Sequence, residues 1–231
     1  MNSILLIGGS HGIGLEVVKQ LQDTHTVYVA SRTTENLDTS KVTHIPFDAS
    51  KDILDTDQLP DTLSGLVYCP GTINLKPFKM LKIETFEEDL QINFLSLVRV
   101  VHTVLPKLKK SENASLVFYS TVAVQTGMPF HTSVAACKGA IEGFARSLAA
   151  EYAPSVRVNV IAPSLTNTPL ANRLLSNDTK IEKMNERHPL KRIGTARDIA
   201  SATVFLLDEK SSWVTGQVLH VDGGMSTLNV H

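Results

Sequence analysis

Short runs of β-branched and aliphatic residues recur along the chain, and longer stretches of helical period lie between them. The runs are Ile4–Ile7, Thr26–Ala30, Val42–Phe47, Leu66–Cys69, Leu116–Tyr119, Val156–Ile161 and Val218–Val221. Several are apolar at nearly every position, which fits strands covered on both faces of a parallel sheet. Parallel neighbours need long crossover connections, and helices supply them. The alternation therefore predicts a doubly wound α/β sheet with right-handed crossovers, in one domain over residues 1–231.

Some helix boundaries are legible in the side chains. Thr85-x-x-Glu88 has the form of a capping box ahead of Leu90, Phe94, Leu97, Val101, Val104 and Leu108, and Pro106 should kink or end that helix. Thr195-x-x-Asp198 has the same form and opens a helix through Ile199 and Val204 to Leu207. From His131 to Tyr152 a third stretch carries Val134, Ile141, Phe144 and Leu148 on one face and is dense in Ala and Gly. The connection from Asp48 to Gly65 is short for a full crossover helix, so an abbreviated helix is expected there.

Composition narrows the function classes. With 42% apolar residues, the 231-residue chain has enough for a continuous core. Lys and Arg number 22 against 23 Asp and Glu, and no basic block offers a nucleic-acid footprint. No apolar run approaches the ~18 residues of a membrane span. Ile4–Ile7 lacks a cationic flank and runs into glycines, unlike a signal peptide. Cys69 and Cys137 form no CxxC pair, and the eight histidines show no HExxH or other metal spacing, so neither a disulfide scaffold nor a metal site is expected. These features leave a soluble, globular protein and point to the cytoplasm.

The first strand leads into Gly8-Gly9-Ser10-His11-Gly12-Ile13-Gly14, and a helix follows through Val17, Val18 and Leu21. Glycines there let the backbone turn sharply and approach a pyrophosphate, while the helix N-terminus presents free N–H groups and the positive end of its dipole. After the first strand of an α/β chain, this reads as a nucleotide site.

The GxxxGxG spacing, followed along the chain, resembles the short-chain dehydrogenase/reductase family. Further matching positions are Asp48 after the third strand, Gly71 after the fourth, Asn93 in the long helix and Lys138 on the next. Arg157-Val158-Asn159, Pro163, and the ending Thr215-Gly216-Gln217 through Val221-Asp222-Gly223-Gly224 match as well. The resemblance implies a Rossmann-type, three-layer fold with a seven-stranded parallel sheet, a dimer or tetramer, and a small substrate lid at about 164–193 with Pro189-Leu190 near its end. It also implies cofactor contacts from Gly8, Ser10, His11, Gly12, Ile13, Gly14, Ser31, Arg32, Asp48, Ala49, Gly71, Asn93, Lys138, Pro163, Thr166 and Thr168.

Charge argues for NADP(H). Enzymes of this type that prefer NAD place a carboxylate at the end of the second strand for the ribose 2′-hydroxyl. Here the strand ends Ala30-Ser31-Arg32-Thr33, with no carboxylate until Glu35. Arg32 can pair with a 2′-phosphate, Ser31 can add a hydroxyl donor, and His11 lies where NADP-preferring relatives carry a basic residue.

The family's catalytic unit departs here. A Tyr stands four residues before the Lys, and a Ser thirteen before that Tyr; these positions are Val134 and Thr121. Thr121 keeps a hydroxyl that can orient a carbonyl, while Ser120 beside it points to the opposite face. Valine has no proton to give. His131, seven residues before Lys138 and so on roughly the same helical face, is the candidate replacement, at the position the divergent enoyl-reductase branch gives its Tyr. The family's segments after the fourth and sixth strands are also altered, to Tyr68-Cys69-Pro70-Gly71 and Pro163-Ser164. Two readings follow. One is an NADP(H)-dependent oxidoreductase using Asn93, Thr121, Lys138 and His131 on a carbonyl, alcohol or enoyl substrate. The other is a silent NADP(H)-binding protein, a sensor or inactive partner subunit.

Overall fold

A computed structural model describes residues 2–229. Seven strands form one parallel sheet: β1 (Ser3–Ile7), β2 (Thr26–Ser31), β3 (Val42–Pro46), β4 (Gly65–Tyr68), β5 (Ala114–Tyr119), β6 (Val156–Pro163) and, last in the chain, β9 (Val218–Val221). Their order is β3-β2-β1-β4-β5-β6-β9. The chain builds outward from β1 to β3, then crosses back to set β4 on the other side of β1. That reversal opens a crevice outside the carboxyl ends of β1 and β4, where ligands of doubly wound sheets bind. Register brings those ends together, with Ile7 opposite both Ala30 and Tyr68, and Tyr68 opposite Phe118.

The helices are α1 (Gly12–Leu21), α2 (Ile83–Leu90), α3 (Ser96–Leu108), α4 (Ala123–Thr126), α5 (Thr132–Tyr152), α6 (Asp178–Arg187) and α7 (Ala196–Leu207). They cover both faces. Leu5, Ile7, Leu66, Phe118 and Val158 meet Leu97, Val104, Ile141 and Leu148 of α3 and α5 on one side. Ile4, Leu6, Val29, Val67 and Val117 meet Val17, Leu21, Ile199 and Leu206 of α1 and α7 on the other. Successive strand side chains point to opposite faces, so two covered faces demand an apolar residue at every position.

Three boundaries differ from expectation. Between Asp48 and Gly65 there is no helix. Asp48 and Asp55 accept hydrogen bonds from the N–H groups of Ser50 and Asp57, a local pairing that competes with helix formation, while Leu54, Leu59 and Leu63 still drop into the core. The Thr85 box is not a cap: α2 begins at Ile83 with Lys82 at the cap position, and the Thr85 N–H already bonds the Lys82 carbonyl. The Thr195 box forms in full, with both reciprocal bonds to Asp198. Third, α2 and α3 are joined by a π turn over Gln91–Leu95, so Asn93 sits in an irregular segment and not in the regular helix. Pro106 falls in the last turn of α3, which ends two residues later.

Between Ser164 and Ile193 the chain leaves the sheet. It forms a short strand β7 (Thr166–Asn167), a 3-10 turn over Pro169–Ala171 and α6, then returns to β8 (Gly194–Thr195), which pairs with β7. Among the described residues no helix is long and apolar enough to cross a membrane.

Candidate active site

At the carboxyl end of β1 the chain turns through Gly8 and Gly12, whose φ values of 81° and 55° suit glycine. A side chain at Gly14 would collide with the Gly8 carbonyl oxygen at 2.5 Å and meet Cys69 Sγ at 3.0 Å. The turn is therefore closed tightly against the end of β4. His11 caps α1 with backbone only, and the first helical bond comes from Leu15 N–H. The N–H groups of Gly12, Ile13 and Gly14 precede that bond and form a ready anion seat.

A strap from the end of β2 closes over this turn, a feature the sequence did not signal. Asn36 Nδ2 donates to the Ser10 carbonyl, and Thr33 Oγ1 to Ser10 Oγ, which also contacts His11 Nδ1. Arg32 is exposed and makes no ion pair among the described residues. The strap also carries Glu35 to 3.6 Å from His11 Nε2, so a carboxylate does reach this rim. Ser31 is not the free donor expected. It is buried, and its hydroxyl donates to the Thr33 carbonyl. Beyond β3, Asp48 Oδ1 accepts from Ser50, holding that carboxyl below its ordinary range, with Lys51 and Arg32 adding to the effect. Ala49 packs against the core beside it.

Further along the crevice three segments converge on Gly71. A methyl group placed there would lie 3.1 Å from Asn93 Oδ1 and 3.4 Å from Lys138 Nζ. Asn93 is wholly buried and donates through Nδ2 to the Asp89 carbonyl and to Thr72 Oγ1. The π turn that carries it leaves the Ile92 carbonyl to accept from the Tyr68 hydroxyl at 2.9 Å. Asp89, which sequence reasoning missed, is the hub beneath. Its buried carboxylate accepts from Thr72 Oγ1, Asn74 Nδ2 and Ser133 Oγ, tying the loop after β4 to the start of α5. Only the structure brings residues 72, 74, 89 and 133 together.

Lys138 Nζ has no hydrogen bond or ion pair among the described residues, and burial pulls the ammonium down to about 8. Val134, one turn earlier on α5, is buried. Thr121 follows β5; its Oγ1 accepts from Ala123 N–H, while Ser120 Oγ turns away to Glu142 at 2.6 Å. His131 stands at the cap position of α5, and its Nδ1 donates to the Pro129 carbonyl at 2.7 Å. In the neutral ring that bond leaves Nε2 as an acceptor.

The last wall comes from the end of β6. The Pro163 carbonyl accepts from Val122 N–H, and Thr166 Oγ1 donates to the Ser164 carbonyl. Thr168 lies over the glycine turn, its Cβ 3.5 Å from where a Gly12 side chain would begin. Ser164 Oγ also bonds buried His188 Nε2 at 2.8 Å; Nδ1 of that ring bonds the Met184 carbonyl of α6.

Comparison with known proteins agrees with this layout. Residues 8–226 match the family model described as Enoyl-(Acyl carrier protein) reductase. The chain belongs to the short-chain dehydrogenase/reductase family. Among curated members it is 32% identical to a tropinone reductase homolog of Datura stramonium, over 95% of this chain and 90% of that one. It is 29% identical to 3-oxoacyl-(acyl-carrier-protein) reductase FabG of Thermotoga maritima, over 96% of each. The crystal structure of a short chain dehydrogenase family protein from Francisella tularensis superposes with a TM-score of 0.90 at 28% identity, covering 99% of this chain and 100% of that one. As a short-chain dehydrogenase/reductase, the chain is an oxidoreductase by type.

Proposed function

We propose that this chain is an NADP(H)-dependent oxidoreductase acting on a small carbonyl, alcohol or enoyl substrate. The observation that carries the reading is the convergence of Lys138 Nζ and the Asn93 side chain on Gly71, at the far end of the crevice that the glycine turn opens. The residues fit a dinucleotide: the first N–H groups of α1 suit its diphosphate, and the Lys138 ammonium, without a hydrogen bond or ion pair among the described residues, suits ribose hydroxyls. When bound, the nicotinamide supplies or accepts hydride. Gly8, Ser10, Gly12, Ile13 and Gly14 then form the diphosphate seat, Asp48 and Ala49 the adenine end, and Gly71, Pro163, Thr166 and Thr168 the walls. Arg32 and His11 favour the 2′-phosphate, and Glu35, which pairs with His11 across exposed surface, weakens that preference only slightly.

Val134 stands where a relative's catalytic phenol would stand, so Thr121 orients the substrate oxygen without a phenol beside it. His131 offers that oxygen an acceptor in its neutral form, and acts as a donor only as imidazolium. Retention of Lys138, Asn93 and the Thr121 hydroxyl favours a working site over a silent binding protein. The same reading takes the excursion over residues 164–193 as the substrate lid of one domain. It also takes the working protein as a cytoplasmic homodimer or homotetramer.

The test is a fluorescence titration of both cofactors, followed by NADPH oxidation with simple ketones and enoyl thioesters. NADPH should bind more tightly than NADH, and Arg32→Ala should weaken NADPH about ten-fold or more while leaving NADH nearly unchanged, the scale of one charge-assisted bidentate contact at a phosphate. Equal losses for both cofactors would remove Arg32 from the 2′-phosphate site.

A further inference from the structure

We propose that Lys138 is itself the general acid of this site, delivering the proton from Nζ to the substrate oxygen. The inference rests on the reading of the crevice as a reductase site and deepens it. The geometry eliminates every phenol. Tyr68 spends its hydroxyl proton on the Ile92 carbonyl, and the Tyr119 hydroxyl is paired with Thr203 on the α7 side of the sheet. Tyr28 lies on β2, and Tyr152 at the far end of α5 sits under Lys109. With Val134 one turn before Lys138, the ammonium faces Gly71 and Asn93, and among the described residues no hydrogen bond or ion pair takes its protons.

The surrounding chemistry points the same way. An efficient general acid has a pKa near the working pH. Burial drives the Tyr68 and Tyr119 hydroxyls well above their ordinary range, away from that condition, and drives Lys138 down toward it. The two thiols near Nζ are kept protonated at neutral pH. Cys69, at the end of β4, is pushed up to about 12 and Cys137, on α5, to about 11, both chiefly by burial. Asp89 on α2 is engaged by three donors, and Glu142 further along α5 by Ser120. In the reduction direction the carbonyl carbon takes hydride, with its electron pair, from NADPH. The Nζ–H bond breaks, an O–H bond forms on the substrate oxygen, and the neutral amine regains a proton from solvent. The oxidation direction reverses each transfer.

Two measurements decide this. The first needs neither cofactor nor substrate: NMR titration of ¹³Cε-labelled lysines in the free protein, with the Lys138 signal identified by its loss in Lys138→Arg. A midpoint near 8 is expected; an ordinary lysine midpoint overturns the assignment. The second follows kcat/KM for NADPH-dependent reduction of ethyl acetoacetate against pH. Wild type should lose rate as pH rises through the Lys138 midpoint, because the acid must be protonated. Lys138→Arg keeps a cation for the ribose but has no proton to release near neutral pH, and its NADPH affinity is titrated alongside so that rates are compared at cofactor saturation. Its reduction rate should fall ~10²-fold or more, and the alkaline break should vanish. A break that persists in Lys138→Arg, or an unchanged rate, overturns the proposal. Failure of wild type to bind NADPH breaks the reductase reading instead, while the lysine titration still decides whether Lys138 can act as an acid near neutral pH.

Discussion

On α5, Val134 is a buried side chain flanked by two polar ones. Ser133 just before it is locked to Asp89, and Lys138 lies one turn after it. A tyrosine introduced here inherits a fixed backbone, so Val134→Tyr tests whether position 134 faces the reacting oxygen. A positioned general acid is worth ~10²–10⁴ in rate. We expect ketone reduction to rise about ten-fold, short of the full effect, because packing shaped around valine will not hold a ring to the ~0.5 Å that catalysis demands. NADPH affinity should be unaltered. Unchanged turnover with intact cofactor binding would mean that the side chain at 134 points away from the substrate.

At the level of elements, the capping box of α7 is the best-defined local device in the chain. Thr195 Oγ1 accepts from Asp198 N–H, the Asp198 carboxylate accepts back from Thr195, and Arg192 adds a two-pronged ion pair to it. These bonds hold the Asp198 carboxyl far below its ordinary range, the Arg192 bond foremost. A depressed acid stabilises the fold above its unfolded-state pKa and loses that contribution as pH falls. Thr195→Ala should therefore cost about 1 kcal/mol at neutral pH in denaturant unfolding, and less in strong acid. An equal cost at both pH values would detach the box from the titration.

That box was legible because its four residues are consecutive. The glycine turn and the seven strands were legible for the same reason, since periodicity and local turn chemistry are properties of one segment. The Thr85 box misled because chain entry at Lys82 started the helix before the motif. The Asp48–Gly65 connection misled because aspartate side chains took the local backbone N–H groups. The Asp89 hub and the strap of Thr33 and Asn36 over Ser10 were not legible, because each joins residues from separate segments. The Ser164–His188 bond, which ties α6 back to the end of β6, belongs with them.

At the scale of the whole molecule, assembly is the property that one protomer leaves most exposed. On α3, Val101 is buried in the protomer's own core, so it adds nothing to an interface. The small-residue face of α5 behaves differently. Ala136 and Gly143 are exposed, Ala135, Gly139 and Ala140 are half-buried, and a side chain built on Gly143 meets nothing within 4 Å. A face of Ala and Gly lets a second helix approach closely, since interaxial distance follows the size of the contacting side chains. Gly143→Lys then separates folding from association. Within one protomer the new side chain has open space, and replacing a mid-helix glycine should stabilise the helix by ~0.5–1 kcal/mol. Between two protomers the same side chain would hold the α5 faces apart and bury a charge. Light scattering at micromolar concentration should give a dimer or tetramer for wild type and a mass near 25.2 kDa for Gly143→Lys, with thermal stability of the monomer retained. A variant that keeps the wild-type mass would show that α5 is not the contact, and a wild type already at 25.2 kDa would show that the protomer works alone.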